Sequence, residues 1–133
     1  MRIDKDKYYL EVAAVVAKRS TCIRRQYGAV LVKDDRIIAT GYNGSARGEV
    51  NCCDTNYCWR EAHNIPHGEQ YEKCVAIHAE DNAISHAGRE AKGCTLYLAG
   101  FENGKPIAAE SCIMCARKIK NAGIVAVVRG DSN

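Results

Sequence analysis

Two short segments of the sequence combine side chains that bind metal ions and move protons. The first is His78-Ala79-Glu80, and the second is Cys112-Ile113-Met114-Cys115. Each segment begins a stretch with helical character. Cys112 and Cys115 stand three residues apart, so their thiols face the same side of a helix. Because the N-terminus of a helix stabilises negative charge, it favours the thiolates that a metal ion needs.

Together these residues supply one imidazole and two thiolates, a ligand set typical of zinc. Three protein ligands leave one position of a tetrahedral zinc open, which distinguishes a catalytic zinc from a structural one. Glu80 is placed to act as a base beside the metal rather than as a fourth ligand. The sequence therefore predicts a catalytic zinc held by His78, Cys112 and Cys115, with Glu80 as the proton carrier. His-x-Glu with Cys-x-x-Cys is the general signature of zinc-dependent nucleobase deaminases.

Two other kinds of protein account for part of this pattern. A lone Cys-x-x-Cys also occurs in redox proteins, and a zinc-binding module without catalysis could use the same ligands. A redox role leaves His78 and Glu80 unexplained, and a structural zinc has no use for an unliganded carboxylate beside it. The joint pattern favours catalysis.

The flanking sequence predicts the elements that must position these motifs. Hydrophobic spacing and turn residues indicate the following elements: helices over 4–19, 78–88 and 112–122, strands over 28–33, 36–42, 94–100 and 124–129, and loops over 43–76 and 101–111. The first two strands are expected to form a hairpin, and the last strand is expected to be buried. Alternation of strands and helices in the second half suggests parallel crossovers, hence an α/β fold with helices on both faces of a sheet.

Length and composition limit the class of protein. The 133 residues suffice for one domain spanning 1–133 but not for two ordinary ones. A net charge of +3, from 19 basic and 16 acidic residues, is too weak to indicate binding of a nucleic-acid backbone. No apolar run has the roughly 18 residues that a membrane span requires, and no signal peptide is evident. We therefore expect a cytoplasmic protein that binds neither nucleic acid nor membrane.

Four segments of the chain resemble the cytidine and deoxycytidylate deaminase superfamily, and within it the deoxycytidylate (dCMP) deaminases. They are Arg19-Ser20-Thr21-Cys22 leading into Gly28-Ala29-Val30, Gly41-Tyr42-Asn43-Gly44, His78-Ala79-Glu80-Asp81-Asn82-Ala83-Ile84, and Cys112-x-x-Cys115 followed by Asn121-Ala122-Gly123-Ile124. The GYNG segment is the most specific, because the superfamily shares the zinc motif but not this loop. The resemblance covers nearly the whole chain and implies a three-layer α/β/α fold, cytidine deaminase-like, with a central mixed sheet.

The same resemblance implies an activity, the zinc-dependent hydrolysis of dCMP to dUMP and ammonia in pyrimidine nucleotide metabolism. Glu80 would protonate ring N3 and then pass a proton to the departing amine. The backbone near Ala79 would hold the base carbonyl, and Asn43 would contact the sugar or the phosphate. A dianionic phosphate needs fixed cations and donors. The candidates are Arg24, Arg25 and Ser45.

Related activities remain open as alternatives. They are deamination of another nucleotide, of a nucleoside or of tRNA adenosine. The last is suggested by Met114, because the Cys-x-Met-Cys segment resembles that of the tRNA adenosine deaminases. Members of the superfamily form hexamers or other homo-oligomers, and some respond to dCTP and dTTP. The resemblance therefore implies an oligomer and nucleotide effectors.

The remaining cysteines predict a second metal site. Eight cysteines, about 6% of the chain, are fewer than in a disulfide scaffold, and a reducing compartment favours metal binding over disulfides. Some dCMP deaminases carry a second, structural zinc with ligands at the positions of Cys22 and Cys52. Cys58 and Cys74 are expected to complete it, with His67 as the substitute. The alternative is that these thiols are reduced and buried. Cys53 and Cys94 have no expected ligand role.

Overall fold

The computed structural model of the chain describes residues 2–66, 69–70, 74 and 76–132. Its helices are α1 (Lys5–Ala17), α2 (Cys52–Thr55), α3 (Trp59–Ala62), α4 (Ala79–Ala87) and α5 (Ile113–Asn121), with a 3₁₀ turn at Gly88–Ala91. Its strands are β1 (Gln26–Lys33), β2 (Arg36–Tyr42), β3 (Gly44–Ser45), β4 (Ala76–Ile77), β5 (Thr95–Glu102), β6 (Lys105–Ile107) and β7 (Ala126–Arg129). None of the described helices is long and apolar enough to cross a membrane.

The central sheet is mixed. β1 lies between β2 and β5 and pairs antiparallel with both, while the other edge of β5 pairs with β6 and β7. β5 and β7 run parallel, with Leu96 opposite Val127, and α5 makes the connection between them. The expectation of a mixed sheet is confirmed. Fewer strand pairs are parallel than the predicted crossovers implied. Only β5 and β7 are parallel among the described pairs, and the long β1–β5 pairing is antiparallel.

Helices cover both faces of the sheet and form two separate cores. On one face α1 packs Tyr9 and Ala13 against β1 and β5. On the other face α4 and α5 pack Ala83 and Ile119 against the same two strands. Burial of each large apolar side chain stabilises such a core by about 1.5–3 kcal/mol. The predicted three-layer α/β/α fold is confirmed, and α4 and α5 share one layer.

Two tight turns set the edges of the sheet. The predicted hairpin β1–β2 turns at Asp34 and Asp35, both with positive φ, as a two-residue hairpin loop requires. A second such turn, at Asn103 and Gly104, joins β5 to β6. The prediction of a loop throughout 101–111 is therefore wrong for its first part. Asn-Gly is itself a strong hairpin signal, and the segments on either side of it are long enough to pair as strands.

The last strand and the long loop also differ from expectation. β7 begins at Ala126 and is half-buried or exposed along its length, because it lies at the edge of the sheet. It is not the buried strand predicted over 124–129. The described part of the segment 43–76 is mostly irregular, as predicted, but it contains α2, α3 and the short β3–β4 pairing. These short elements bring distant cysteines to one side of the fold.

Candidate active site

The three predicted zinc ligands meet where two helices begin. His78 is the residue before α4, and Cys112 is the residue before α5. The Nδ1 atom of His78 lies 3.4 Å from Sγ of Cys112 and 3.3 Å from Sγ of Cys115. Cys112 Sγ also accepts a hydrogen bond from the backbone N–H of Cys115, which fixes the first turn of α5. The predicted grouping of these residues is present in the structure.

Their spacing fits a tetrahedral zinc ion. Zinc–sulfur and zinc–nitrogen bonds of about 2.3 Å and 2.0–2.1 Å place N and S ligands of one ion about 3.5 Å apart. The ligand atoms of His78, Cys112 and Cys115 all lie within 4.8 Å of one another. Three such ligands leave a fourth position for water or substrate. The residues therefore support a zinc site of the catalytic type.

Burial controls the protonation of these ligands. Desolvation lowers the pKa of His78, which favours the neutral imidazole that a metal needs. Burial raises the pKa of Cys115 well above its usual range, and the nearby charge of Glu80 raises it further. In the absence of metal, the Cys115 thiol therefore keeps its proton at neutral pH. A metal ion must displace that proton to bind.

Glu80 lies in the first turn of α4, two residues from His78, and is only 5% exposed. It lines the same cavity as His78 and Cys112. A buried carboxylate that faces a cavity next to three metal ligands can exchange protons with a molecule bound there. Its role as proton carrier remains a proposal, and its position agrees with that role.

The GYNG segment seats the helix that carries His78 and Glu80. A Cβ atom added to Gly41 would lie 2.4 Å from the backbone N of Ala83 and 2.5 Å from the carbonyl oxygen of Ala79. The backbone of α4 therefore lies directly on β2 at this point. Asn82 reinforces the contact, since its side-chain nitrogen donates to the Tyr42 carbonyl oxygen over 2.8 Å. Gly41 is required because any side chain would push α4 away from the sheet.

Asn43 connects the loop before β1 to the end of β2. Its Oδ1 atom accepts hydrogen bonds from Ser20 Oγ at 2.6 Å and from the Tyr27 backbone N–H at 2.8 Å. Its Nδ2 atom donates to the Arg25 carbonyl oxygen over 2.9 Å. Asn43 is buried and lines the cavity, so it shapes the wall even before any substrate contact.

The three predicted phosphate contacts have different surroundings. Arg24 and Arg25 line the cavity, whereas Ser45 is not among the described residues that line it. The Arg25 Nε atom donates to Glu102 Oε2 over 2.8 Å, so this guanidinium is committed to an ion pair. The Nη1 atom of Arg24 is buried without a hydrogen-bond partner among the described residues, as is Ser45 Oγ.

The predicted structural-zinc cysteines share the wall of the same cavity. All four line it: Cys22, Cys52, Cys58 and Cys74. Burial raises the pKa of Cys22 to about 12, with smaller contributions from the charges of the other three. They do not form a group as tight as that around His78, since no three of their sulfur atoms lie within 4.8 Å of one another. His67 lies outside the described residues.

The other two cysteines lie apart from this cluster. Cys53 is exposed, and Cys94 is fully buried with its thiol donating to the Glu90 carbonyl oxygen over 3.2 Å. The absence of a ligand role for both stays a prediction.

Sequence reasoning missed three polar residues of the cavity. Tyr27, Arg60 and Glu110 all line it. Arg60 is 6% exposed and donates to the carbonyl oxygens of Pro66 and Glu69 over 2.9 and 3.0 Å. It lies in the short helix α3, inside the segment that was predicted as a loop, and no local pattern marks it. Tyr27 could have been found, because it alternates with Ala29 on the face of β1 that packs against α4.

The fold has a mixed sheet between two layers of helices, and one histidine and two cysteines meet where two neighbouring helices begin. This combination defines a zinc-binding domain of the deaminase class. The family model described as "Cytidine and deoxycytidylate deaminase zinc-binding region" matches residues 3–131, and the chain belongs to this family.

Individual relatives agree with this family. A deoxycytidylate deaminase of Schizosaccharomyces pombe is 41% identical over 123 residues, which cover 92% of this chain and 36% of that protein. A deoxycytidylate deaminase of Mycobacterium phage D29 is 38% identical, with 96% of this chain and 94% of that protein covered. The chain thus spans little more than a third of the yeast relative's length and nearly all of the phage relative's.

A solved structure has the same fold. The dCMP deaminase of the cyanophage S-TIM5, in complex with dCMP and dUMP, superimposes with a TM-score of 0.67 at 25% sequence identity. The match covers 96% of this chain and 81% of the phage chain.

Proposed function

We propose that this protein is a zinc-dependent hydrolase that converts dCMP to dUMP and ammonia. The observation that carries the proposal is the buried Glu80 carboxylate in one cavity with His78 and Cys112. A structural zinc site or a redox pair has no use for such a carboxylate. The substrate is supported by the relatives named deoxycytidylate deaminase and by the fold shared with a dCMP deaminase that holds dCMP and dUMP.

His78, Cys112 and Cys115 would hold the zinc ion, which when bound activates water as a nucleophile at neutral pH. The reaction adds water at C4 of the base and breaks the bond from C4 to the exocyclic amine. Glu80 carries the protons that this requires, first to ring N3 and then to the departing amine. Its burial keeps bulk water from competing for those protons.

Backbone and side-chain groups around Glu80 would orient the base and the sugar. The N–H of Ala79, in the first turn of α4, has no partner within a helix and can donate to the base carbonyl. Asn43 lines the cavity and uses one hydrogen of its Nδ2 group for the bond to Arg25, so the second hydrogen would contact the sugar or the phosphate.

Arg24 is the phosphate contact that the geometry supports best. Its buried Nη1 atom lacks a hydrogen-bond partner among the described residues, and a phosphate oxygen would supply one. Arg25 contributes positive charge to the same wall while it stays paired with Glu102. Ser45 has a similarly unpartnered hydroxyl, but it is a weaker candidate because it does not lie among the described lining residues.

A second, structural zinc would be held by Cys22, Cys52, Cys58 and Cys74, with His67 as the substitute ligand. The support is that all four thiols line the same cavity, although three of them come from the segment 43–76 with its short elements. Metal binding would draw them together and would stabilise that segment, because a site of this kind contributes folding free energy.

The organisation and regulation of the protein are expected to follow those of the superfamily. We expect one domain over 1–133 that works in the cytoplasm as a homo-oligomer, with a hexamer as the form suggested by the superfamily. We also expect dCTP and dTTP to act as effectors. Light scattering measures the assembly, and kinetics with added dCTP or dTTP test the effectors.

The test of the activity is a comparison of substrates. The zinc-loaded protein is incubated separately with dCMP, CMP, deoxycytidine and an RNA hairpin, and ammonia release is measured. We expect turnover of dCMP, with much less of deoxycytidine because it lacks the phosphate. Release from RNA alone would instead indicate a tRNA adenosine deaminase, and no release from any substrate would indicate a zinc module without catalysis.

A further inference from the structure

An ion pair links the two helices that carry the zinc ligands. The Nζ atom of Lys118 on α5 lies 2.6 Å from Oδ2 of Asp81 on α4. Asp81 directly follows Glu80, and Lys118 stands one turn beyond Cys115. Among the described residues, this is the ion pair that joins α4 to α5.

Each residue of the ion pair follows a zinc ligand by the same spacing along its helix. Asp81 is three residues after His78, and Lys118 is three residues after Cys115, so each charged residue shares a helix face with a ligand. The two contacts between the helices, His78 with Cys115 and Asp81 with Lys118, therefore lie about one helical turn apart. Two such contacts restrain both the distance and the relative rotation of the helices.

The charge of Lys118 also acts on the ligands. A hydrogen bond from Lys118 to Asp81 is the main reason that the pKa of Lys118 is raised, and the charges of Cys115 and Cys112 raise it further. The positive charge of Lys118 therefore acts on both thiolates and offsets part of their mutual repulsion. That repulsion has to be overcome when two thiolates bind one ion.

We infer that Asp81 and Lys118 are positioning residues, which hold the starts of α4 and α5 at the spacing that the His-Cys-Cys site needs for zinc. The inference rests on the proposed zinc site and not on the identity of the substrate. Neither residue needs to contact zinc or the nucleotide. Ion pairs at this level of exposure, 51% for Lys118 and 26% for Asp81, stabilise a fold only slightly. The effect is therefore expected in metal binding rather than in folding.

The experiment measures zinc affinity by competition with a chelator. The variants are Lys118→Met and Asp81→Asn, and the matched control is Lys120→Met, which removes the same charge from an exposed position of the same helix. The zinc that is lost in a Cys112→Ser, Cys115→Ser variant identifies the signal of this site. Cobalt(II) substituted for zinc provides a second readout, since its absorption reports the geometry of the thiolate ligands.

We expect Lys118→Met and Asp81→Asn each to weaken zinc binding at this site about tenfold, at the lower end of the range for residues that orient metal ligands. Lys120→Met should leave it unchanged, and Lys118→Arg should restore most of it. The double variant should be little weaker than either single variant, because both remove one interaction.

Two results would overturn the inference. One is equal zinc affinity and an unchanged cobalt spectrum in Lys118→Met and Lys120→Met. The other is a loss in Lys118→Met that Lys118→Arg does not restore. Should Lys118→Met fail to fold, Lys118→Arg and Asp81→Asn decide by the same measure. A protein that binds zinc in this way but releases no ammonia from dCMP would refute the proposed function and leave this inference intact.

Discussion

The Nδ1 atom of His78 lies 3.3 Å from the Sγ atom of Cys115, although 37 residues separate them in the chain. Both residues stand at helix starts, and both helices pack on the same face of the sheet. A site built this way depends on how accurately the two helices are placed. Substitutions that move a helix should therefore weaken zinc binding even though they leave every ligand in the sequence.

Replacement of Glu80 by Gln should abolish proton transfer and keep the metal. The amide has nearly the same shape but cannot carry a proton, so we expect turnover to fall by about 10²–10⁴-fold. Metal analysis should find the same zinc content in Glu80→Gln as in the unaltered protein. Glu90→Gln, on the exposed 3₁₀ turn, is the control and should keep full activity. An active Glu80→Gln would refute the proposed role of Glu80.

Replacement of Gly41 by Ala should displace α4. The added Cβ would lie 2.4 Å from the backbone N of Ala83, so the helix or the strand must shift. Overpacking of this kind costs about 1–3 kcal/mol, and urea unfolding measures it. Zinc affinity should fall as well, because His78 moves with the helix. Gly130→Ala, where the nearest contact would be 3.4 Å, is the control and should change the free energy of unfolding little.

Replacement of Cys74 by Ser should remove the proposed structural zinc and leave the zinc at His78 in place. We expect about two zinc ions per chain in the unaltered protein and about one in Cys74→Ser, measured by metal analysis under reducing conditions. The thermal unfolding temperature should fall, since a structural zinc stabilises the fold. Cys53→Ser, an exposed neighbour of the cluster, should change neither quantity. One zinc per chain in the unaltered protein would refute the structural site.

Zinc affinity at the His78 site should fall as the pH falls. Burial raises the pKa of Cys115, so its thiol is protonated at neutral pH and must release a proton to bind zinc. Each proton released makes the affinity change by about tenfold per pH unit. Chelator competition between pH 7 and 8 in the Cys74→Ser background isolates this site. An affinity independent of pH would mean that the thiols are already ionised.

Tyr97 should make the protein less stable in alkali. Its hydroxyl donates to Asp6 Oδ1 over 2.8 Å, and burial together with this bond raises its pKa from 10.0 to about 12. The folded state keeps the proton between these values while the unfolded state loses it, so stability is retained below pH 10 and lost towards pH 12.

Urea unfolding at pH 8, 10 and 11 tests this dependence on Tyr97. The free energy of unfolding should fall by up to about 1.4 kcal/mol per pH unit from this group. In Tyr97→Phe the free energy of unfolding should fall less steeply with pH. At pH 8 it should be about 1 kcal/mol lower than in the unaltered protein, because the hydrogen bond is lost. Tyr57→Phe, at an exposed position, should behave like the unaltered protein. Identical slopes for all three proteins would assign the alkaline loss to other groups.

Local patterns account for most of the predicted fold. The helices that begin after His78 and Cys112 and the hairpin at Asp34 and Asp35 depend on neighbouring residues, so the sequence predicts them closely. The exposure of β7 and the second hairpin at Asn103 and Gly104 were predicted wrongly. Burial of a strand depends on which strands lie beside it, and no local pattern contains that information.

The same division holds for the site. The types and spacing of His78, Glu80, Cys112 and Cys115 were enough to predict a metal and a proton carrier, because the ligand chemistry of zinc is specific. Only the tertiary structure decided that Arg60 lines the cavity, that Arg25 is paired with Glu102, and that Gly41 seats α4. These relationships join residues far apart in the chain. They arise when the helices pack on the sheet, and packing selects partners by shape and charge, which no local pattern along the chain reveals.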